Sequence, residues 1–317
     1  MFRKIVIGLL AVALAAGSAS AQPAAYSPPR GADGHPDFQG VWAARWLTTL
    51  ERPASITTLV VTPEEGATIV AGILSRRSHP GELDPEIAEP DNDGLARVRG
   101  ELRSSMIVDP PDGRLPFTEA GTARMRARKP PGFDNPEERL NNERCISGGG
   151  RAPFLIAPAG QLRQIVQTPD HIMMWTEAFS DVRIVPVGAA PSVPIGPTRF
   201  GHSLAHWEGD TLVIETTAFR PDDLTRAVPF SALMLDPDAK VIERLSRVSA
   251  DEIVYQFTVE APGLYAKPWL AEYSFVRSSQ PMFEFACHEG NYSMSNILIG
   301  ARQAEKRGEK QEPIPSR

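Results

Sequence analysis

The stretch KVIERLSRVSADEIVYQFTVE, residues 240–260, decides the fold class of this chain. Apolar and polar residues alternate in both of its halves, which is the period of a β-strand with one buried face. The halves meet at Ser249-Ala250-Asp251, whose composition favours a tight turn. The stretch therefore predicts a β-hairpin with strands at Lys240–Val248 and Glu252–Glu260.

Further short strands, separated by turn residues, surround this hairpin. The predicted strands are Leu162–Thr168, Ile172–Glu177, Val182–Val187, Thr211–Thr217, Leu270–Arg277 and Met282–Cys287, the last two forming a second hairpin. Short strands at regular spacing are typical of an antiparallel meander. We therefore predict a mainly β protein in which residues 143–302 form a lipocalin-like barrel or sandwich.

Residues 35–142 predict helical and loop arms on this body rather than more of the meander. The run Thr62-Pro63-Glu64-Glu65 offers a capping hydroxyl, a proline at the first helical position and acids in the first turn, so it predicts a helix that extends to Arg77. A second helix is expected to open at Thr118–Gly121. The arms and the body together form one predicted domain, residues 35–302, and the 30 prolines of the chain indicate long ordered loops.

The remaining elements of the N-terminal half are short. Phe38–Trp42 indicates a first strand. Met106–Pro116 predicts two short strands around a Pro-Asp-Gly turn. Residues 22–34 read as a mobile leader, and residues 303–317 as a polar tail.

The first 21 residues have the pattern of a secretory signal. Arg3 and Lys4 precede the apolar run Ile5–Ala16, and Ala19-Ser20-Ala21 provides small residues for cleavage. The apolar run is too short for a comfortable membrane span. The prediction is a periplasmic or secreted protein without a membrane span.

The charge balance limits the classes of partner. The formal net charge of the chain is −6, and removal of the signal takes away two further basic residues. A protein that follows a nucleic-acid backbone needs a basic stripe. We therefore expect a small-molecule ligand or substrate and no nucleic-acid partner.

The chain has two cysteines, Cys145 and Cys287. In an oxidising compartment the expected state is one disulfide between them. A free nucleophilic thiol is the alternative. His288 follows Cys287 directly, but neighbouring residues on a strand point to opposite faces, so this adjacency does not make a Cys–His pair.

A set of short runs carries a family resemblance. The runs are Asp33–Asp37 (DGHPD), Gly40–Trp42 (GVW), Ile107–Gly113 (IVDPPDG), Glu143–Cys145 (ERC), Gln164–Pro169 (QIVQTP), Arg183–Pro186 (RIVP), His206–Thr216 (HWEGDTLVIET), Pro268–Trp269, Ala286–Tyr292 (ACHEGNY) and Gly300–Arg302. Through them the chain resembles a large family of uncharacterised exported bacterial proteins. The resemblance implies export and an all-β body, and it implies no particular activity.

Three polar clusters are candidates for a site at one opening of the barrel. They are residues 202–210, residues 288–291, and Glu177 with Asp181 and Arg183. A histidine beside a carboxylate can act as a general acid or base, and an arginine can hold a substrate anion. The predicted catalytic residues are His288, His206, Glu289, Glu208 and Arg183. The predicted substrate-binding residues are His202, Glu177, Trp207, Asn291 and Tyr292.

Each cluster also has a structural explanation. Trp207-Glu208-Gly209-Asp210 is an ordinary turn before a strand, and Glu177 and Arg183 are positioned for a cross-strand ion pair. His202, His206 and His288 with a carboxylate would suit a divalent metal. The spacing of four residues from His202 to His206 is typical of metal ligands on a helix, however, and this stretch is predicted as a loop, so we predict no metal and no organic cofactor.

Three functions remain open at this point. The first is an exported enzyme (a hydrolase, lyase or isomerase) that uses His and carboxylate acid–base chemistry on a small organic molecule. The second is a lipocalin-like carrier of an apolar small molecule. The third is a structural envelope protein. The enzyme requires the distant histidines and acids to converge around one pocket.

Overall fold

The computed structural model describes residues 26–77, 94–128, 132–139, 141, 143–146, 149–155, 162–188, 196–221, 225–228 and 231–309. The predicted signal, the first residues of the leader and most of the predicted tail lie outside these ranges. Within them, no helix has both the length and the apolar character needed to cross a membrane.

Strands make up most of the regular structure. Their bounds are β1 (Gly40–Ala43), β2 (Arg97–Val98), β3 (Glu101–Leu102), β4 (Ile107–Asp109), β5 (Leu162–Gln167), β6 (His171–Thr176), β7 (Asp181–Pro186), β8 (His202–Glu208), β9 (Thr211–Thr217), β10 (Thr225–Val228), β11 (Ser231–Met234), β12 (Lys240–Arg247), β13 (Glu252–Glu260) and β14 (Trp269–Arg277). The helices are α1 (Pro63–Arg77), α2 (Glu119–Arg126) and α3 (Tyr292–Lys306), with 3-10 turns at Pro136–Glu138 and Ala178–Ser180. The mainly β class is therefore confirmed.

The main sheet has ten antiparallel strands and is nearly closed into a barrel. Its order is β7-β6-β5-β1-β14-β13-β12-β9-β8, and β4 adds to the edge of β14. The two ends of this order come together where Val187 bridges Ala205 in parallel orientation, with the Gly188 amide donating to the Ala205 carbonyl at 2.8 Å. The hairpin of residues 240–260 lies in the middle of the order, as β12 and β13, paired from Lys240–Glu260 to Arg247–Ile253.

Alternation along the strands defines the barrel interior. On β12, Val241, Glu243 and Leu245 are fully buried, while the residues between them are partly exposed. Cross-strand partners share a face, so the register carries this inward set around the sheet. Large inward residues with little or no exposure are Trp42, Tyr255, Phe257, Trp269, Tyr273 and Phe275. The hydrophobic core of the molecule thus lies in the interior of the barrel.

The predicted strand Met282–Cys287 is absent, although its residues alternate as a strand would. β14 already pairs with β13 on one side and with β1 and β4 on the other. No edge is left for a following strand. The segment instead forms a turn in which the Cys287 amide donates to the Phe285 carbonyl at 2.9 Å. Phe285 packs on Phe179, with 4.8 Å between the ring centroids.

The stretch read as a loop before Trp207 is strand β8. It pairs along its whole length with β9, from His202–Thr217 to Glu208–Thr211. Gly209 makes the connecting turn with φ of +58°, a conformation that favours glycine. The alternation is broken because Ser203 lies on the inward face and Leu204 on the outward face, so the sequence pattern hides the strand.

The first two helices begin where their caps predict. Thr62 and Glu65 form a reciprocal capping box, with bonds of 2.8 and 3.2 Å. Thr118 caps α2 by accepting from the Gly121 amide. The sequence does not predict the third helix: the expected β body extends to residue 302 and a polar tail begins at 303, whereas Tyr292–Lys306 forms α3, capped by Asn291.

The N-terminal arms cover the outer face of β13 and β14. Arg103 bonds Glu272 at 2.9 Å, and Gln256 donates to the second oxygen of Glu272 at 3.0 Å. A separate small core beneath α1 consists of Leu47, Val61, Ile69, Ile73 and Leu95. After the predicted Pro-Asp-Gly turn, residues 114–116 form no strand, so only β4 of that expected pair exists.

Candidate functional site

His206 and Glu208 contact each other, as the sequence predicts, but on the outside of the barrel. Ala205 and Trp207 face inward, so the alternate positions of β8 face outward. His206 Nε2 lies 3.2 Å from Glu208 Oε1, and Arg244 donates to the other oxygen at 2.5 Å. Arg244, and then His206, hold the pKa of the Glu208 carboxyl below its ordinary value by hydrogen bonding. About half of each of the two side chains is exposed.

Trp207 is a packing residue at one end of the barrel. Its ring stacks on His35, with centroids 4.4 Å apart and planes within 2°, and it also contacts Phe38. Nearby, Arg30 pairs with Asp210 at 2.6 Å. The described part of the leader therefore packs against the β8–β9 turn.

Glu177 and Arg183 do not form the predicted cross-strand pair. Arg183 is 4% exposed and faces the barrel interior, where its terminal nitrogens donate to both oxygens of Glu243 at 2.8 and 3.0 Å. The Glu177 carboxylate instead accepts from the Phe283 amide at 2.8 Å. Arg183, the predicted anion clamp, thus already has a carboxylate partner in Glu243.

The predicted disulfide is confirmed: Cys145 and Cys287 are bonded, with Cα atoms 5.7 Å apart. His288 and Glu289 follow it in an exposed turn. Asn291 ties this turn to the body, since its amide donates to the Glu143 carbonyl at 2.9 Å. Tyr292, the first residue of α3, is 74% exposed.

The predicted clusters do not meet at one opening. β7 and β8 run parallel where they meet, so the turn before β7 and the turn after β8 lie at opposite ends of the barrel. Glu177 and the Phe283 segment belong to the first end, and His206 with Glu208 lies toward the second. A single acid–base constellation of His206, Glu208 and His288 is therefore not formed.

The same geometry bears on a metal site. His202 and His206 both lie on β8, where four residues correspond to roughly 13 Å. That distance is too long for two ligands of one ion. His202 bonds the Gly196 carbonyl through Nε2 at 2.8 Å. In the parts of the chain that the structure describes, no group of three or more His, Cys, Asp or Glu side chains is placed to hold a metal.

The barrel interior contains a polar layer that sequence reasoning missed. It consists of Arg163, Arg183, Glu243, Tyr255 and Tyr273, which we call the inner polar layer. None of these side chains is more than 4% exposed. The Tyr255 hydroxyl donates to Glu243 at 2.6 Å, and the Arg183–Glu243 pair lies beside it. Polar side chains thus replace apolar ones at the centre of an otherwise hydrophobic barrel.

A short chain segment enters the barrel and rests on this layer. Tyr255 accepts from the Phe154 amide at 2.8 Å, and Tyr273 donates to the Phe154 carbonyl at 2.9 Å. Arg163 Nη2 donates to the Leu155 carbonyl at 2.9 Å. The Phe154 ring lies 4.2 Å from the Arg183 guanidinium and 5.0 Å from that of Arg163. We call residues 152–155 the plug segment.

Burial sets the protonation of the layer. It raises the pKa of Tyr255 well above the ordinary value, and Glu243 raises it further. Burial also raises the pKa of Tyr273 and lowers that of Arg163. Both tyrosines are therefore neutral hydrogen-bonding groups at physiological pH, while arginine stays charged in proteins.

A signal for this layer exists in the sequence. Glu243 lies between Val241 and Leu245 on the apolar side of an alternating strand, which is an unusual place for an acid. Arg183 and Arg163 occupy equivalent positions, two residues before Val185 and Ile165. A charge on the buried face of a strand indicates a buried partner, although the pattern alone does not name it.

The chain matches no protein-family model, no curated protein and no solved structure.

Proposed function

We propose that this protein is an exported barrel that binds a small organic molecule against its inner polar layer. The observation that carries this proposal is the layer itself: ionised and hydroxyl side chains held in an apolar barrel interior. Ligand sites in barrels combine mainly hydrophobic walls with a few precisely placed polar groups. The disulfide supports export, because such bonds persist in oxidising compartments.

Polar groups in this layer exceed what the fold needs. An apolar interior of the same volume is in general as stable as a buried ion pair, or more stable. Among the described residues, Arg163 Nε and Nη1, Arg183 Nε and the Thr176 hydroxyl have no hydrogen-bond partner. Unsatisfied buried donors cost stability, so their presence favours a binding role over a purely structural one.

A screen of thermal stability against small organic molecules tests the proposal. Compounds that bind inside the barrel raise the melting temperature of the native protein. Thr176→Leu removes the unpaired hydroxyl opposite Arg163 and adds bulk there, so it should abolish the response. Thr258→Leu is the matched control, because Thr258 faces outward on β13. Equal responses from both variants would show that the ligand lies elsewhere, and no response to any compound would favour a structural barrel.

The acid–base enzyme is the second candidate, favoured by the contact between His206 and Glu208. A carboxylate fixes the orientation of an imidazole and stabilises its charged form. Assays for hydrolase, lyase and isomerase turnover should then lose activity in His206→Ala without a change in melting temperature. His288→Ala tests the cluster beside the disulfide in the same way. Turnover that survives both substitutions would exclude these histidines from catalysis.

A further inference from the structure

Arg163 is the least satisfied member of the inner polar layer. It lies on β5 with its side chain inward, opposite Thr176 on β6, and is 2% exposed. Of its three guanidinium nitrogens, Nη2 alone bonds a described residue, the Leu155 carbonyl. Nε and Nη1 find no partner in the described parts of the chain, and neither does the Thr176 hydroxyl across the strand pair. Unused donors therefore converge on one place.

The charge of Arg163 is also uncompensated. Both oxygens of Glu243 are taken by Arg183, and one of them also by Tyr255. Two arginines against one glutamate leave the inner polar layer with one excess positive charge. An unpaired buried charge is costly, so an anion is the missing component.

The size of the charge and the surroundings indicate which anion. One excess positive charge is neutralised by one negative charge, which fits a carboxylate better than a phosphate dianion. The rings of Phe154 and Phe275 lie 5.0 and 5.4 Å from the Arg163 guanidinium. Both rings are apolar surfaces next to the guanidinium, so an anion with an apolar body suits these surroundings better than an inorganic one. We propose that the barrel binds an organic monocarboxylate whose carboxylate pairs with Arg163, an inference that rests on the proposed binding function.

The plug segment marks where the carboxylate goes. The Leu155 carbonyl already occupies Nη2, as one oxygen of a carboxylate would. Nη2 forms one edge of the guanidinium with Nε and another edge with Nη1. A carboxylate that replaces this carbonyl therefore accepts a second hydrogen bond, from Nε on the first edge or from Nη1 on the second. The neutral contact is thereby exchanged for a charge-assisted, bidentate one. Entry of the ligand moves Leu155 away from Arg163.

Calorimetric titration of the purified, disulfide-bonded protein tests this assignment. The probes are benzoate and hexanoate, with benzamide and hexanamide as neutral matches of the same shape. Both carboxylates should bind and neither amide should compete. Arg163→Met, which keeps length and removes charge, should weaken carboxylate binding about a hundredfold. Arg244→Met is the control, because Arg244 lies outside the barrel beside Glu208, and it should leave binding unchanged.

The outcomes separate this inference from the proposed function. Equal binding of carboxylates and amides, insensitive to Arg163→Met, would overturn the carboxylate assignment and leave small-molecule binding intact. Failure of both carboxylates to bind would also overturn it. Removal of an unpaired charge should not lower the melting temperature of Arg163→Met, whereas a merely structural arginine would. If that variant fails to fold, Arg163→Lys, which keeps the charge and loses the planar fork, should still bind carboxylate, but more weakly.

Discussion

Arg183 and Glu243, 60 residues apart in sequence, form a two-bond ion pair at the centre of the barrel. The pair joins β7, the strand at one end of the sheet order, to β12, the third strand from the other end. It therefore spans the barrel interior rather than linking neighbours on one face. Arg183 is therefore held in the barrel interior and contributes nothing to the outer surface of the barrel.

Removal of the Glu243 charge should destabilise the protein more than removal of the Arg183 charge. Glu243→Gln leaves two buried arginines without an anion, whereas Arg183→Met leaves one arginine beside one glutamate. We expect Glu243→Gln to lower the free energy of unfolding by about 3–5 kcal/mol, and Arg183→Met to lower it by less. Urea denaturation measures both. Lys240→Met, which breaks the exposed Lys240–Glu215 pair, is the control and should cost less than about 1 kcal/mol.

The hydroxyl of Tyr255 should contribute more to the free energy of unfolding than the hydroxyl of Tyr273. Tyr255→Phe leaves the Phe154 amide without its acceptor and one Glu243 oxygen without that donor. Tyr273→Phe removes a single bond, to the Phe154 carbonyl. We expect a cost of about 1–3 kcal/mol for the first and a smaller one for the second, measured by urea denaturation. Equal costs would mean that the Glu243 contact contributes nothing.

The disulfide closes a loop of 142 residues between Cys145 and Cys287. A cross-link over so long a loop restricts the unfolded chain, and the chain-entropy model gives about 4–5 kcal/mol. The double variant Cys145→Ser with Cys287→Ser should lose that amount in chemical denaturation. Reduction of the native protein should give the same loss. A change below about 1 kcal/mol would mean that the cross-link only holds residues 283–306 in place.

The sequence predicts local elements of this fold well and long-range pairings poorly. The helix start at Thr62 and the hairpin of residues 240–260 depend on neighbours in sequence, and both form as predicted. Residues 282–287 have the alternation of a strand, but β1 and β4 occupy the edge they would need. Periodicity gives the face of a residue but not which edges of a sheet are free.

In the candidate site, too, the sequence predicts local contacts better than long-range ones. The contact of His206 with Glu208 joins residues two apart on one strand and is visible in the sequence. The partner of Arg183 is 60 residues away, and only the closure of the barrel brings Glu243 to it. The predicted pairing with Glu177 rests on the positions of the two residues on neighbouring strands with a short turn between them. Inward and outward directions on the strands decide otherwise.

Three buried tyrosines predict how stability depends on alkaline pH. Burial raises the pKa of Tyr255, Tyr265 and Tyr273 above the ordinary value of about 10. The folded state therefore retains protons that the unfolded state loses. The contribution of these tyrosines to the free energy of unfolding is complete below about pH 10 and falls as pH rises above it. Absorbance titration should show three tyrosines ionising only together with loss of far-UV circular dichroism. Ionisation of all the tyrosines near pH 10 with the fold intact would contradict the burial of the inner polar layer.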